Sequence, residues 1–225
     1  SELPEESGGW CDYMVELEFF KSMPEGIRKD AWFLTKVTMT GQERNPETGR
    51  YPLLNWDDPA TNQKHPYWKK NIESSDWVFN YDDGYYETKG ISSASGKTRM
   101  IFRYADILLL YAEAVAYGTK SIDDLAFDCM WRVQERAGVP LISKDVTKEY
   151  FQKAVLDERR WETAGMEHSC MGRFFTMQRH EILHLQKNYR DAAELSLNPN
   201  LTLSEEFYYF PIPDNELLIV PGLKD

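Results

Sequence analysis

The sequence predicts a mainly α-helical protein in which stacked helical hairpins carry an irregular, loop-rich region with short strands. From residue 101 onward, apolar side chains recur at intervals of three and four, which is the period of amphipathic helices. Residues 1–100 instead combine many aromatic rings with turn-forming residues. We therefore divide the chain into a loop-rich aromatic region, residues 1–100, and a helical scaffold with a Pro-rich tail, residues 101–225. We expect the two parts to pack as one structural unit.

The composition indicates an acidic, folded protein. With 225 residues, of which 42% are hydrophobic, the chain can bury a substantial core. Its net charge of −11 argues against nucleic acids and anionic lipid headgroups as partners, because affinity for phosphates comes mainly from Lys and Arg. No run of about 18 apolar residues is present, so no membrane-spanning helix is predicted. Neutral glycans and peptides remain open as ligands.

The three cysteines do not organise the fold. Cys11, Cys129 and Cys170 form no metal-binding spacing, and an odd number cannot all pair within the chain. Cys129 and Cys170 lie in apolar helical patterns, which predicts buried free thiols. No apolar segment precedes Cys11, so we do not assign it as a lipid-attachment site.

In the first hundred residues the sequence predicts one strand and several turns. Residues 31–39 have the β-branched and aromatic content of a strand. Clusters of turn-forming residues follow at positions 45–49, 57–59 and 82–84.

The first helical hairpin begins near residue 101. Gly118 ends its first helix, whose apolar stripe consists of Ile101, Ala105, Leu108, Ala112 and Val115. Ser121, with Asp124 three residues later, predicts the start of the second helix, which ends at residues 137–140. The stripe of this second helix consists of Ile122, Leu125, Cys129 and Val133.

A second hairpin follows. Its first helix begins near Asp145 or Thr147 and turns at Gly165, and its partner extends over residues 167–189. Prolines then confine the tail to extended segments around a short helical turn at residues 214–218.

Three segments in order carry a family resemblance. Residues 102–114 have the sequence FRYADILLLYAEA, residues 158–168 have ERRWETAGMEH, and residues 210–221 have FPIPDNELLIVP. Residues 13–34 agree more loosely. The chain resembles the SusD/RagB family of nutrient-binding outer-membrane lipoproteins. Residues 169–175 depart from the family's pattern, and Gly172 weakens a helix interior by about 1 kcal/mol relative to Ala.

The resemblance implies a tetratricopeptide-like helical scaffold and a binding protein without catalytic residues, cofactor or metal. It also implies that this chain is the C-terminal portion of a longer protein held at the cell surface by a lipid anchor in the outer membrane, the anchor being absent from this chain. Such a protein caps a TonB-dependent, SusC-like transporter and supplies it with oligosaccharide. Because RagB-like relatives handle peptides, a peptide ligand remains an alternative, as does a pure interaction scaffold.

The charged residues in these segments are predicted to be structural. Arg103 and Asp106 are three residues apart on one helix, where an ion pair is the simplest arrangement. The same argument applies to residues 158–162, which hold two Glu and two Arg.

Residues 180–184 form a His-Glu-x-x-His sequence, the pattern of zinc proteases, in which two His bind zinc and Glu activates water. Glu205 or Glu206 could supply a third ligand. A zinc hydrolase is thus an alternative function. We favour the interpretation that His180 and His184 lie on the polar face of the last long helix.

Aromatic rings are concentrated between residues 51 and 86, interleaved with Asn, Asp and Lys and without a helical period. Sugar rings stack on indole and phenol, while the polar neighbours can satisfy hydroxyl groups. The alternative is that these rings pin irregular loops to the scaffold. We predict a carbohydrate-binding surface formed by Trp56, Trp68, Trp77, Tyr81, Tyr85 and Tyr86.

Overall fold

The computed structural model describes residues 14–38, 43–61, 64–69, 77–79, 86–88, 101–165, 167–185, 190, 192–197, 211–220 and 222. Its helices are α1 (Leu17–Ser22), α2 (Ile27–Trp32), α3 (Tyr104–Tyr117), α4 (Asp124–Ala137), α5 (Lys148–Thr163), α6 (Glu167–Arg179), α7 (Ala192–Leu197) and α8 (Asp214–Ile219). Its strands are β1 (Phe33–Leu34), β2 (Lys36–Thr38), β3 (Leu53–Asn55), β4 (Tyr67–Trp68), β5 (Trp77–Phe79) and β6 (Tyr86–Thr88). Long helices with a few short strands confirm the predicted fold class.

Helices α3, α4 and α5 form the main core. α3 lies against both α4 and α5. Leu109 and Ala112 of α3 are fully buried in one cluster with Met130 of α4 and with Phe151 and Val155 of α5. Because Ala leaves little bulk between helices, α3 can approach both neighbours closely.

The buried face of α3 is rotated from the predicted stripe. Ala112 is buried as expected, but Leu109 lies at the centre of the face, whereas Leu108 is only partly buried. Ile101 precedes the helix and is exposed, contrary to the prediction. The rotation arises because Asp106 and Glu113 also face inward, where arginines pair with them.

The start of α4 also differs from the prediction. Asp123, not Ser121, caps the helix, since the Ala126 backbone N–H donates to Asp123 Oδ1 at 2.8 Å. Leu125 is exposed, because Ala126 occupies the buried position in this first turn. Gly138, in a left-handed conformation with φ of 69°, ends α4 as predicted.

The second hairpin begins as predicted and ends earlier. Thr147 caps α5, and Gly165 has a left-handed φ of 65° in the turn that follows. Helix α6 ends at Arg179, so its predicted extension to residue 189 is wrong. Glu181 has a positive φ of 54°, which an α-helix does not adopt.

Each strand of the first region pairs in a two-stranded antiparallel ladder, with β1 beside β4, β2 beside β3, and β5 beside β6. The single strand predicted over residues 31–39 is wrong at its start, because Ala31 and Trp32 belong to the end of α2. Pairing with distant segments, rather than local composition, divides the remainder into β1 and β2.

Two of the predicted turns are confirmed. The side chain of Asn45 accepts hydrogen bonds from the N–H groups of Glu47 and Thr48, and that of Asp58 accepts one from the N–H of Ala60. The turn predicted at residues 82–84 lies outside the described residues. In the tail, α8 confirms the predicted helical turn.

Cys129 is buried within the helical core, as predicted, and burial raises the pKa of its thiol. Cys11 lies outside the described residues, as does the side chain of Cys170.

Candidate ligand-binding surface

An aromatic cluster joins the strand-containing region to the helical scaffold. Phe33 lies at its centre and contacts Phe20 edge-on, with ring centroids 5.1 Å apart. Trp68 lies at the same distance from Phe33 in a tilted arrangement, and it also contacts Phe19. The cluster therefore holds β1 and β4 against α1.

Trp56 is half-buried at the edge of this cluster. Its ring meets Phe20 edge-on, with centroids 5.7 Å apart. The backbone N–H of Trp56 donates to the Thr35 carbonyl, and the Trp56 carbonyl accepts from the Thr61 hydroxyl, each at 2.8 Å. These bonds fix the backbone at Trp56, while the contact with Phe20 orients the ring, part of which remains exposed.

Trp68 contacts the scaffold more tightly. A Cβ atom placed on Gly165 would lie only 2.5 Å from a carbon of the Trp68 six-membered ring, so glycine is required there for the close approach as well as for the left-handed turn. One side of this indole is therefore occupied by the end of α5. This packing matches the alternative in which a ring pins a loop to the scaffold.

The structure places the other predicted residues only in part. Trp77 lies in β5 and Tyr86 in β6, where the register pairs Phe79 with Tyr86 and Trp77 with Thr88. Tyr81 and Tyr85 lie outside the described residues. Of the six predicted residues, Trp56 and Trp68 are thus brought together in one cluster.

Two further tryptophans that were not predicted belong to this cluster. Trp32 and Trp161 are partly buried against it, and the Arg160 guanidinium lies 5.4 Å from the Phe19 ring centre and 5.6 Å from that of Trp161. Trp161 is part of the ERRWE sequence, which indicated only a scaffold role. Its neighbours Arg160 and Glu162 are buried, so this stretch is a buried segment rather than a surface pair, and no local sequence signal distinguishes the two.

Beneath the aromatic cluster, Glu162 links four elements. Its carboxylate accepts from Arg103 at 2.7 Å and from Arg28 at 3.2 Å, and it also pairs with Arg136 of α4. Arg28 of α2 in addition donates to Glu158 at 2.5 Å. Glu158, Arg159 and Glu162 thus form ion pairs, but with residues distant in sequence rather than with neighbours on one helix surface as predicted; within this described segment, only Arg160 pairs locally, with Asp157.

The predicted pair of Arg103 and Asp106 is confirmed, at 3.2 Å. Asp106 further accepts from the Arg103 backbone N–H at 2.8 Å, which fixes the first turn of α3. The shorter side-chain contact of Arg103 is with Glu162, a residue 59 positions away that a local pattern does not reveal.

Burial has opposite outcomes for two carboxylates. Burial raises the pKa of Glu158, and the charge and hydrogen bond of Arg28 offset this only in part. Burial also acts to raise the pKa of Glu113, but the hydrogen bond from Arg179 and the charge of Arg159 outweigh it, so that its pKa is lowered. We therefore expect Glu113 to be charged over a wider pH range than Glu158.

Glu113 contacts the residues at the end of α6. It accepts a hydrogen bond from Arg179 at 2.9 Å, contacts His180 Nε2 at 2.8 Å and pairs with Arg159. The His180 ring also packs on Tyr117, with centroids 4.0 Å apart. Through these contacts the end of α6 packs against α3.

This geometry corrects the interpretation of the His-Glu-x-x-His sequence. His180 and His184 do not lie on the polar face of a long helix, because α6 ends at Arg179 and Glu181 is left-handed. A zinc protease needs both His on one helical turn. His180 is engaged by Glu113, whereas His184 is exposed. Within the described residues, no three His, Cys, Asp or Glu side chains are grouped to hold a metal ion.

The fold and this cluster define a class: a helical scaffold with buried ion pairs, against which a cluster of aromatic rings from helices, short strands and loops packs. The model of the SusD family matches residues 2–225, and the chain belongs to that family. Among the helices that the structure describes, none is both long and apolar enough to cross a membrane.

Two relatives illustrate the match. SusD-like protein P25 of Formosa agariphila is 28% identical over 130 residues, which cover 56% of this chain and 23% of that protein. The crystal structure of a SusD superfamily protein from Parabacteroides distasonis is similar over 99% of this chain and 44% of its own, with a TM-score of 0.63 and 17% identity, and supports the fold alone. This chain thus spans less than half the length of either relative.

Proposed function

We propose that this chain is part of a non-enzymatic, cell-surface protein that binds oligosaccharide and delivers it to a TonB-dependent, SusC-like transporter. Membership of the SusD family, over nearly the whole chain, is the observation that carries this proposal. In the complete protein a lipid anchor holds the molecule on the outer membrane, where it meets both ligand and transporter.

The proposed ligand surface is the aromatic region of Trp56, Trp68, Trp77, Tyr81, Tyr85 and Tyr86. Stacking on such rings suits a neutral sugar and does not require positive charge, in keeping with a net charge of −11. A shallow surface leaves much of the ligand hydrated, so we expect a Kd of about 10⁻⁴ M, or roughly −5.5 kcal/mol.

Within this surface, the residues have different proposed roles. One face of the Trp68 indole packs on Gly165, and this contact favours an anchoring role for Trp68. The β5–β6 ladder offers another arrangement, because positions two apart on a strand and positions directly opposite in the ladder share one face. By that rule Trp77, Phe79 and Tyr86 occupy positions of a single face. We propose that this face stacks against the ligand.

A glycan and peptide array on the complete protein tests the ligand class. We expect oligosaccharides to bind, and binding to weaken in a variant that combines Trp56→Ala, Trp68→Ala and Trp77→Ala. Peptide binding without glycan binding would replace the proposed ligand with a RagB-like one. Glycan binding that the triple variant leaves unchanged would place the site elsewhere in the polypeptide and leave this chain as its scaffold.

A further inference from the structure

Helix α2 is a short helix that carries a buried charge. It has only six residues, so its own hydrogen bonds do not suffice to keep it helical. The side chain of Arg28 is only 4% exposed, and it donates to Glu158 at 2.5 Å and to Glu162 at 3.2 Å. Both carboxylates belong to α5 and are themselves buried. The ion pairs with α5 therefore set the position of α2.

A second contact holds the start of α2 against α4. A Cβ atom placed on Gly26 would lie 2.7 Å from the carbonyl oxygens of both Ala137 and Gly138. Such a distance leaves no room for a side chain, so the backbone before α2 lies directly against the end of α4. Contacts with α4 and α5 together fix α2 on the scaffold.

Helix α2 leads without a loop into the strands of the aromatic cluster. Phe33, the first residue of β1, directly follows the last residue of α2. Its ring lies at the centre of the cluster, and in the β1–β4 ladder it pairs with Trp68. Two residues further on, the Thr35 carbonyl accepts the backbone N–H of Trp56 at 2.8 Å. A displacement of α2 would therefore move β1 and, with it, the backbone of Trp56.

The end of α5 contacts the same cluster. Gly165 packs on one face of the Trp68 indole, and Glu162, three residues earlier, pairs with Arg28. Helix α5 thus holds α2 through an ion pair and β4 through a ring contact. Because β1 follows α2 and pairs with β4, both contacts act on the same strands.

Given the proposed function, in which Trp56 stacks on a sugar ring, we propose that Arg28 is a positioning residue of the ligand surface. Its ion pairs fix α2, and α2 in turn fixes β1 and the backbone of Trp56. A ring that is held in place before a ligand arrives loses less conformational freedom on binding. Loss of this support therefore weakens affinity without removing any contact to the sugar.

The test compares Arg28→Lys with Arg103→Lys in the complete protein. Each variant keeps the charge but removes a guanidinium that bonds Glu162, and an ammonium group does not reproduce that geometry. Arg103 lies next to α3, which the helical core also holds against α5, so its loss should not displace α2. Affinity for the best oligosaccharide from the array is measured well below both melting transitions, where lower global stability leaves it unchanged. We expect Arg28→Lys to weaken binding at least about threefold and Arg103→Lys by less than about 1.5-fold.

A spectroscopic measurement reports on Trp56 without any sugar. The protein is labelled with fluorotryptophan, and the fluorine resonance of Trp56 is assigned by its loss in Trp56→Phe. We expect this resonance to shift or broaden in Arg28→Lys and to stay unchanged in Arg103→Lys. If Arg28→Lys does not fold, the double variant Arg28→Met with Glu158→Gln is measured instead, because it leaves no unpaired carboxylate at position 158.

An unchanged Trp56 resonance in Arg28→Lys would overturn the proposal, as would equal affinities of the two arginine variants. The variant that combines Trp56→Ala, Trp68→Ala and Trp77→Ala separates two kinds of failure. If it weakens binding but Arg28→Lys does not, the proposed surface is correct and Arg28 has no positioning role. If neither changes affinity, the aromatic region does not bind the oligosaccharide, and the proposed surface is overturned together with the role of Arg28.

Discussion

Glu162 and Glu113 are both buried carboxylates that pair with several cations, but their surroundings differ. Glu162 is fully buried, and two of its partners, Arg28 and Arg103, are almost or largely buried with it. Glu113 is buried to nearly the same degree, and each carboxylate has one partner whose side chain is about half exposed, Arg136 for Glu162 and Arg179 for Glu113. The two carboxylates therefore differ mainly in the elements from which their partners come.

The difference separates two structural roles. Glu162 on α5 receives arginines from α2, from the residue before α3, and from α4, so its contacts join elements far apart in sequence. Glu113 on α3 pairs with Arg159 of α5 and with the residues that end α6. In both cases residues of one motif segment pair with those of another, so these charged sequences hold the helices of the scaffold together.

The largest effect is expected from Glu162→Ala. It leaves buried guanidinium groups without their shared partner, and breaking a buried ion pair in this way costs roughly 3–5 kcal/mol of unfolding free energy. Urea denaturation measures the loss. The matched control is Glu135→Ala on the exposed face of α4, expected within about 0.5 kcal/mol of the parent. Equal results for the two variants would mean that the Glu162 contacts do not lock the scaffold.

Glu113→Gln should have a smaller and more local effect. We expect a loss of about 1–3 kcal/mol, because Arg179 can turn to water while Arg159 stays buried. Hydrogen exchange should show faster exchange in the last turn of α6 and little change in α4. A uniform loss of protection across the scaffold would contradict the different structural roles assigned to Glu113 and Glu162.

The pH dependence of stability provides a third comparison. The pKa of Glu158 is raised above 4.5, so the folded state binds more protons there, and stability from this group is lost as pH rises from 4.5 through the raised value. The pKa of Glu113 is lowered below 4.5, so its contribution is lost as pH falls below 4.5. Unfolding free energies are measured from pH 7 to pH 3. In Glu158→Gln the loss of stability on raising the pH above 4.5 should disappear, and in Glu113→Gln the loss on lowering the pH below 4.5 should disappear. If each variant instead removes the other pH dependence, the directions of both pKa shifts are contradicted.

The smallest effect is expected at His184. This exposed residue should be replaceable by Ala within about 0.5 kcal/mol, whereas His180→Ala, which removes a contact with Glu113, should cost about 1–2 kcal/mol. Protein purified without added zinc should contain well under one zinc per chain. Stoichiometric zinc that is lost in His184→Ala would support the zinc hydrolase instead.

The sequence predicts those features that depend on local patterns. The helices of residues 101–165, the turns at Gly138 and Gly165, and the start of α5 near Thr147 are found where expected, although the buried face of α3 is rotated from the predicted stripe. The early end of α6 was not predictable in this way, because the residues at that end contact Glu113, which is more than 60 positions away in sequence. The same holds for β1, whose partner strand is 34 residues away.

The candidate site was predictable in composition but not in geometry. Aromatic density pointed to residues 51–86, yet the close contact of Trp68 with Gly165 is a tertiary arrangement with no local signal. Trp161 was missed for the opposite reason: its motif indicated only a scaffold helix, yet its ring also belongs to the aromatic cluster. Side-chain packing between distant segments decides which rings serve as anchors.

Calorimetric titration of the complete protein with the best oligosaccharide from the array measures binding at the proposed surface most directly. We expect Trp77→Ala to weaken affinity by about fivefold, corresponding to roughly 1 kcal/mol for a lost stacking contact. Trp68→Ala, which removes the ring that packs on Gly165, should mainly lower the melting temperature. If Trp56→Ala, Trp68→Ala and Trp77→Ala each bind the oligosaccharide with the affinity of the parent, the aromatic region of this chain is not the ligand-binding surface.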